Sequence, residues 1–306
     1  MTASFRPAPA ISRVQSNGLG IALMATAVVF FSGADTAAKF LTGYYHPIQV
    51  AGLRQLGLVA GVLVWVLLSG PSGLRTTKPG MQIFRGACAA LSAAMFIIAL
   101  RYIPLTDGIS IAFVAPFFVT ILGAVLLKEK VGPRRWFAVA AGFAGTLIVM
   151  RPGFAGFHPA YLLVLGSAFL FATRQVISRT LSNTETTMST VAYTAVVSAG
   201  LLGLVIPFVW TPIQPQHIWL FVLYAALAGA GEFLVIKALE IALAVVIAPL
   251  QYTMIIWTSI LGFIVFQDVP DGLTLLGSTI IIASGGFSLW REYQVKYAGD
   301  RSGSGA

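Results

Sequence analysis

Residues 121–133 read ILGAVLLKEKVGP and residues 260–272 read ILGFIVFQDVPDG. Both segments open on ILG, run apolar, and reach an acidic residue, Glu129 or Asp268, at positions 139 apart. The first acid is surrounded by Lys128, Lys130, Arg134 and Arg135, while the second has no basic neighbour. A repeat that keeps its acid and loses its bases asks for a physical reason.

Composition supplies the setting. The chain has 306 residues, 58% hydrophobic and only 9% charged, against roughly a quarter charged in ordinary globular proteins. Such a chain cannot cover a water-facing surface, and its continuous apolar runs suit bilayer-spanning helices of about 20 residues each. Alternation of the kind found in membrane barrels is missing from these runs. Cys88 is the sole cysteine, so no internal disulfide forms. Residues 1–17 are polar and mildly basic, and the apolar run after them is too long for a signal-peptide core, which predicts an uncleaved first span.

The apolar runs predict an all-α membrane protein with ten transmembrane helices, at about residues 18–41, 47–69, 81–100, 104–127, 134–150, 158–179, 187–209, 216–239, 243–266 and 271–290. Lys and Arg set the orientation. With the N-terminus inside, the inner side holds Arg6, Arg13, Arg75, Lys78, Arg85, Lys128, Lys130, Arg134, Arg135, Arg179, Lys237, Arg291, Lys296 and Arg301. The outer side holds only Lys39, Arg101 and Arg151, and Arg54 and Arg174 fall inside spans. Both termini are therefore expected in the cytoplasm. The net charge of +9 follows from this bias without a nucleic-acid partner, and the basic cytoplasmic loops are expected to meet anionic lipid headgroups.

The opening difference now has its reason. Five spans per copy turn the second copy upside down, and basic residues follow the side of the membrane. Ala99-Leu100 matches Ala238-Leu239 in the same register, and Lys39 with Leu41 matches Arg179 with Leu181 at an offset of 140. These matches predict two inverted five-helix repeats, an arrangement that places a site near the midplane and opens it alternately to each side.

The chain resembles the EamA-type repeats of the drug/metabolite transporter superfamily. The resemblance rests on ALRYIPLTDGISIAFVAPFFVTILGAVLLKEKVGPRRW (99–136), on RPG (151–153), and on ALEIALAVVIAPLQYTMIIWTSILGFIVFQDVPDGLTLLGSTIIIASGG (238–286). It implies a cytoplasmic segment 1–17, repeats at 18–152 and 158–290, and a cytoplasmic tail 291–306. It also implies a carrier of small metabolites in the bacterial inner membrane, resembling the YddG-type exporters of aromatic and other apolar amino acids. Carriage of another metabolite, such as a vitamin or a sugar-like compound, is the alternative, with a membrane enzyme further off. Asp268 stands where the family commonly has Glu.

Ionisable groups inside spans cost about 2.5 to 3.5 kcal/mol each on insertion scales, so they should be paired or face water. Asp35 and Arg54 are expected at one depth toward the outer face, Arg174 and Glu232 at one depth toward the inner face, each pair a breakable gate. Permanent clamps, or an Asp35–Lys39 contact one turn apart, would use the same residues. A carboxylate in a partly dry site also allows proton coupling.

Phe96, Tyr102, Phe113, Tyr193, Gln251, Tyr252 and Trp257 are candidates for the substrate-cavity wall, offering stacking surfaces with a few polar groups. The duller alternative puts such aromatics against lipid or between helices. Pro116 and Pro249 should kink spans four and nine. Gly57 and Gly61 form a weak GxxxG, leaving monomer and homodimer both open. His46, His158 and His217 read as solvated loop residues without metal spacing. No nucleophile elbow and no phosphate-cradling glycine loop is present, so the expectation is a non-enzyme without cofactor or metal.

Overall fold

The computed structural model describes residues 17–70, 74–128, 131–152, 157–181, 184–242 and 244–303, and all regular structure among them is helical. The helices are α1 (Asn17–Thr42), α2 (Pro47–Ser69), α3 (Pro79–Leu100), α4 (Leu105–Ala112), α5 (Ala115–Leu126) and α6 (Pro133–Met150), followed by α7 (Ala160–Leu181), α8 (Thr187–Val209), α9 (Pro215–Ile241), α10 (Ala244–Ile247), α11 (Met254–Phe266) and α12 (Gly272–Gly303). A 3-10 segment, Ala248–Thr253, joins α10 to α11. Glu129 and Lys130, of the opening repeat, and residues 1–16 lie outside the described residues.

Local chemistry sets the helix ends. Proline opens α2, α3, α5, α6 and α9, where its missing N–H costs nothing and its fixed φ suits the first turn. Thr186 caps α8 by accepting from the Ser189 N–H at 3.1 Å, and Asp271 caps α12 by accepting from the Thr274 N–H at 2.9 Å. Lys128 and Gln267 follow α5 and α11 in the left-handed region, at φ 55° and 59°. They are the same 139 positions apart as the acids that follow them, so the repeat persists in the backbone.

Among the described residues, eight helical segments are long and apolar enough to cross a bilayer, with Leu105–Leu126 counted as one across the α4/α5 break. Helix α6 opens on Arg134 and Arg135, which dilute its apolar content, and the apolar part of α12, Gly272–Phe287, is shorter than the eight. Helix α12 continues beyond the span limit near residue 290, to Gly303. The stretch REYQVKYAGDR (291–301) has good helix formers and no proline to stop the helix.

The main interfaces join the two halves of the chain. Helix α1 lies along α9, α3 along α7 and α8, α2 along α8 and α9, and α6 along α12. Helix α5 packs on α7, and α11 on α1. Exchanging the first five spans for the last five maps this set onto itself: α1 with α9 becomes α7 with α3, and α5 with α7 becomes α11 with α1.

Small residues let the helices approach closely where hydrophobic exclusion from water gives no drive. Ser92 of α3 donates to the Ser167 carbonyl of α7 at 2.9 Å, and Ser167 returns the bond to the Ser92 carbonyl at 2.8 Å. Gly145 of α6 and Gly277 of α12 pack backbone to backbone, and a Cβ on Gly277 would meet the Gly145 carbonyl oxygen at 2.6 Å. Gly57 serves an internal contact too, against Ala225 of α9, whereas Gly61 has open space. His217 corrects the solvated reading: it is buried, with its Nδ1 2.8 Å from the Tyr45 hydroxyl.

Candidate functional site

Four charged side chains converge where the halves meet. Asp35 is on α1, Arg54 on α2, Arg174 on α7 and Glu232 on α9. Arg54 lies within electrostatic reach of Tyr224, Asp35 and Glu232, and Arg174 within reach of Glu232 and Arg54. The four thus form one field, where the sequence suggested two separate pairs at opposite entrances. Neither Asp35–Arg54 nor Arg174–Glu232 closes into a direct ion pair; direct pairs occur at Lys39–Asp268 and Arg151–Asp271. The Nε atoms of Arg54 and Arg174 are buried without a hydrogen-bond partner.

Asp35, Arg54 and Arg174 are surrounded by the bundle yet keep accessible surface, so they border internal space. Glu232 is exposed and lies within electrostatic reach of Arg54 on α2, Arg85 on α3 and Arg174 on α7. Arg85 of α3 joins this field but is committed: its Nε donates to the Ser178 hydroxyl at 2.7 Å, and its Nη1 donates to the Thr190 carbonyl at 3.2 Å and to the Thr194 hydroxyl. The sequence counts Arg85 among the inner-side cations, at the start of the third span. Its position in the second turn of α3, facing the serines and threonines of α7 and α8, was the available signal.

Polar contacts tie the helices to one another at the bundle end where α1 finishes. Lys39 Nζ pairs with Asp268 Oδ2 at 2.8 Å, donates to the Ile103 carbonyl at 3.0 Å, and sits 4.7 Å from the Phe266 ring centre. Lys39 is therefore Asp268's partner and not Asp35's. Asp107 of α4, unnoticed in the sequence, is buried and accepts from the Tyr161 hydroxyl at 2.8 Å and the Thr274 hydroxyl at 2.9 Å, joining α4, α7 and α12. An acid inside the otherwise uncharged LTDGISIA was the signal. Arg151 pairs with Asp271, and that bond, with the Thr274 N–H, pushes the Asp271 carboxyl down to about 2. A cleft of about 390 Å³ opens among Tyr102, Asp107, Arg151, Tyr161, Asp268 and Asp271. At the opposite end Glu185 accepts from the Thr77 N–H and hydroxyl, at 2.9 and 2.7 Å. These Thr77 bonds hold its carboxyl below the usual range.

The aromatic candidates fall in different places. Phe113 ends α4 at the break before α5, and its ring centre lies 4.9 Å from that of Tyr252 in the 3-10 segment. These two residues are 139 apart, so equivalent points of the two broken helices touch. Pro116 lies in the first turn of α5 and Pro249 in the 3-10 segment, both just beside these breaks. Phe96 packs against the cores on either side of α3. Tyr102 is exposed beside the cleft, its ring stacked on His158 with centres 5.6 Å apart. Tyr193 is half-buried near Gly86, and Gln251 and Trp257 are exposed. Among the described residues no cluster of three His, Cys, Asp or Glu stands ready for a metal.

Comparison with known proteins fits this architecture. The model of the EamA-like transporter family matches residues 18–151 and again 158–289. The S-adenosylmethionine uptake transporter of Rickettsia prowazekii is 27% identical, over 89% of this chain and 93% of its own. The riboflavin transporter of Vibrio cholerae is 29% identical, over 88% and 92%, and the pseudopaline exporter CntI of Pseudomonas aeruginosa 25% identical, over 87% and 94%. A crystal structure 18% identical in sequence superposes with a TM-score of 0.62, covering 92% of this chain and 99% of that one. Two family matches that together span almost all of the helical bundle make this a multi-pass membrane protein that belongs to the EamA-like transporter family.

Proposed function

We propose that the chain is a secondary carrier of small organic metabolites in the bacterial inner membrane, working by alternating access between two inverted five-span repeats. In this reading α6 and α12 cross the bilayer along with the eight longer segments, and both termini are cytoplasmic. The observation that carries it is the charged field of Asp35, Arg54, Arg174 and Glu232, drawn from two helices of each half and bordering internal space. Charges at bilayer depth are costly and mark a solute or ion path. The exchange symmetry of the packing, the Phe113–Tyr252 contact and the paired left-handed residues support the two-repeat architecture.

Relatives are named for uptake and for export, so the assay reads both directions. Purified protein in liposomes is loaded, inside or outside, with labelled aromatic amino acids, S-adenosylmethionine or riboflavin. Saturable flux of at least one, absent from protein-free liposomes, is expected. Export of aromatic amino acids is the activity anticipated from sequence, and flux of the other solutes alone would replace it. An imposed pH gradient tests proton coupling in the same vesicles, with Glu232→Gln as the control that should abolish any response.

A further inference from the structure

The two ends of the bundle carry one fastening in two chemistries. Resting on the carrier reading above, we propose that residues 210–214, between α8 and α9, and residues 74–78, leading into α3, are the two gating straps of the carrier, clipped by Tyr45 and Glu185 and released one at a time.

Each strap is held by a helix corner of the other half. Tyr45, between α1 and α2, uses its hydroxyl twice: the oxygen accepts from the Gln214 N–H at 3.0 Å, which leaves the proton for His217 Nδ1 at 2.8 Å. Gln49, in the first turn of α2, donates to the Thr211 carbonyl and accepts from the Thr211 N–H, each at 2.9 Å. At the opposite end Glu185, between α7 and α8, holds Thr77 through the N–H and the hydroxyl.

The likeness follows the repeat. Tyr45 and Glu185 are 140 positions apart, and so are Thr77 and His217, the offset that relates Lys39 to Arg179. The helices behind the clips start at the same offset, α2 at Pro47 and α8 at Thr187, each with a side-chain cap, His46 and Thr186. Each strap also sets one apolar side chain on a core. Ile213 packs against the cluster that contains Ala51 and Leu202, and Leu74 against the one formed by Val62, Ala192 and Ala195. Ile213 and Leu74 are 139 positions apart. Connections between helices ordinarily vary far more than the helices do; two connections that keep both the clip and the seated residue share a task. In inverted repeats they lie on opposite faces, and the copies exchange conformations as the carrier turns over. Hydrogen bonds of ordinary strength are weak enough to break in each such cycle.

The test reads both ends of the intact protein. Cys88→Ala removes the only native thiol, and Ala51→Cys or Ala192→Cys then places a reporter inside one of the two covered cores, where the native alanines are 1% and 4% exposed. An impermeant maleimide is applied to intact cells for position 51 and to inside-out vesicles for position 192, and initial labelling rates are compared. Tyr45→Phe removes both bonds of the hydroxyl, so labelling at 51 should rise about threefold to tenfold while labelling at 192 falls. Glu185→Ala should do the reverse by a smaller factor, because its contact is exposed. That exposure also keeps its melting temperature native, so this arm stands even where Tyr45→Phe fails to fold. A contact that only stabilises the fold would raise labelling at its own end, or at both, and never lower it at the other; that result overturns the inference. Flux of the panel solutes in liposomes separates the two readings: no flux by the native protein brings down the carrier, whereas flux without opposite changes in labelling brings down the straps alone.

Discussion

The cost of a polar atom out of water is decided by its partners, and Asp107 shows this most directly. It has two acceptor oxygens, and the structure gives each one hydroxyl, from Tyr161 and from Thr274. Asp107→Ala should destabilise the protein by roughly 3 kcal/mol, because hydrogen bonds to a charged group contribute about 1.5 to 3 kcal/mol and two are lost. Tyr161→Phe should cost less, and the double variant less than the sum of the singles, since they remove one shared bond; additive losses in thermal unfolding would argue that the contact carries no energy. Asp271 offers a pH test. Its folded pKa of about 2 lies below the ordinary 3.8, so the stability it adds is fully present above about pH 4 and is lost as pH falls toward 2. Half-exposure of its side chain keeps the effect small. The difference in melting temperature between the native protein and Asp271→Asn should therefore shrink from pH 5 to pH 3.

Between helices, contact distance is set by the smallest residues. Gly145 and Gly277 bring α6 and α12 to backbone contact, and Gly277→Val should force them apart at a cost of about 1 to 3 kcal/mol, as overpacking does. Gly61→Val, in open space, is the control and should leave the melting temperature unchanged. This scale also marks what the sequence could and could not reveal. Apolar runs and prolines located nearly every helix, because helix starts follow from local chemistry such as Pro47 and Pro215. Helix α12 outruns the span limit near residue 290 because nothing local terminates it before Gly303. The charged residues were visible as chemical types, but their partners were not. Lys39 finds Asp268, 229 residues away, and Arg85 finds Ser178 and Thr194; only the tertiary arrangement makes them neighbours. The acid of LTDG was legible and passed over because it lies near a span end.

For the whole molecule, the order of packing matters more than any one contact. Each of the main interfaces takes one helix from each half, so neither half keeps its core when alone. Residues 18–152 expressed without 158–290 should be degraded or aggregate, and co-expression of the two pieces should restore a folded complex; a stable, monodisperse half would contradict this interleaving.

The same arrangement makes the sense of crossing testable. Basic residues crowd Lys128 and avoid Gln267 although the two occupy equivalent places at the ends of equivalent helices. Under the rule that Lys and Arg stay with the cytoplasm, that asymmetry arises only if an odd number of crossings separates the positions. Cys88 is the one native thiol and is buried, so Cys88→Ala gives a clean background for Lys128→Cys and Gln267→Cys. A membrane-impermeant maleimide applied to intact cells should label the cysteine at 267 and reach the one at 128 only after lysis. Labelling of both from the same side would mean that the repeats run parallel, and a pathway opened alternately by inverted halves could not be built from them.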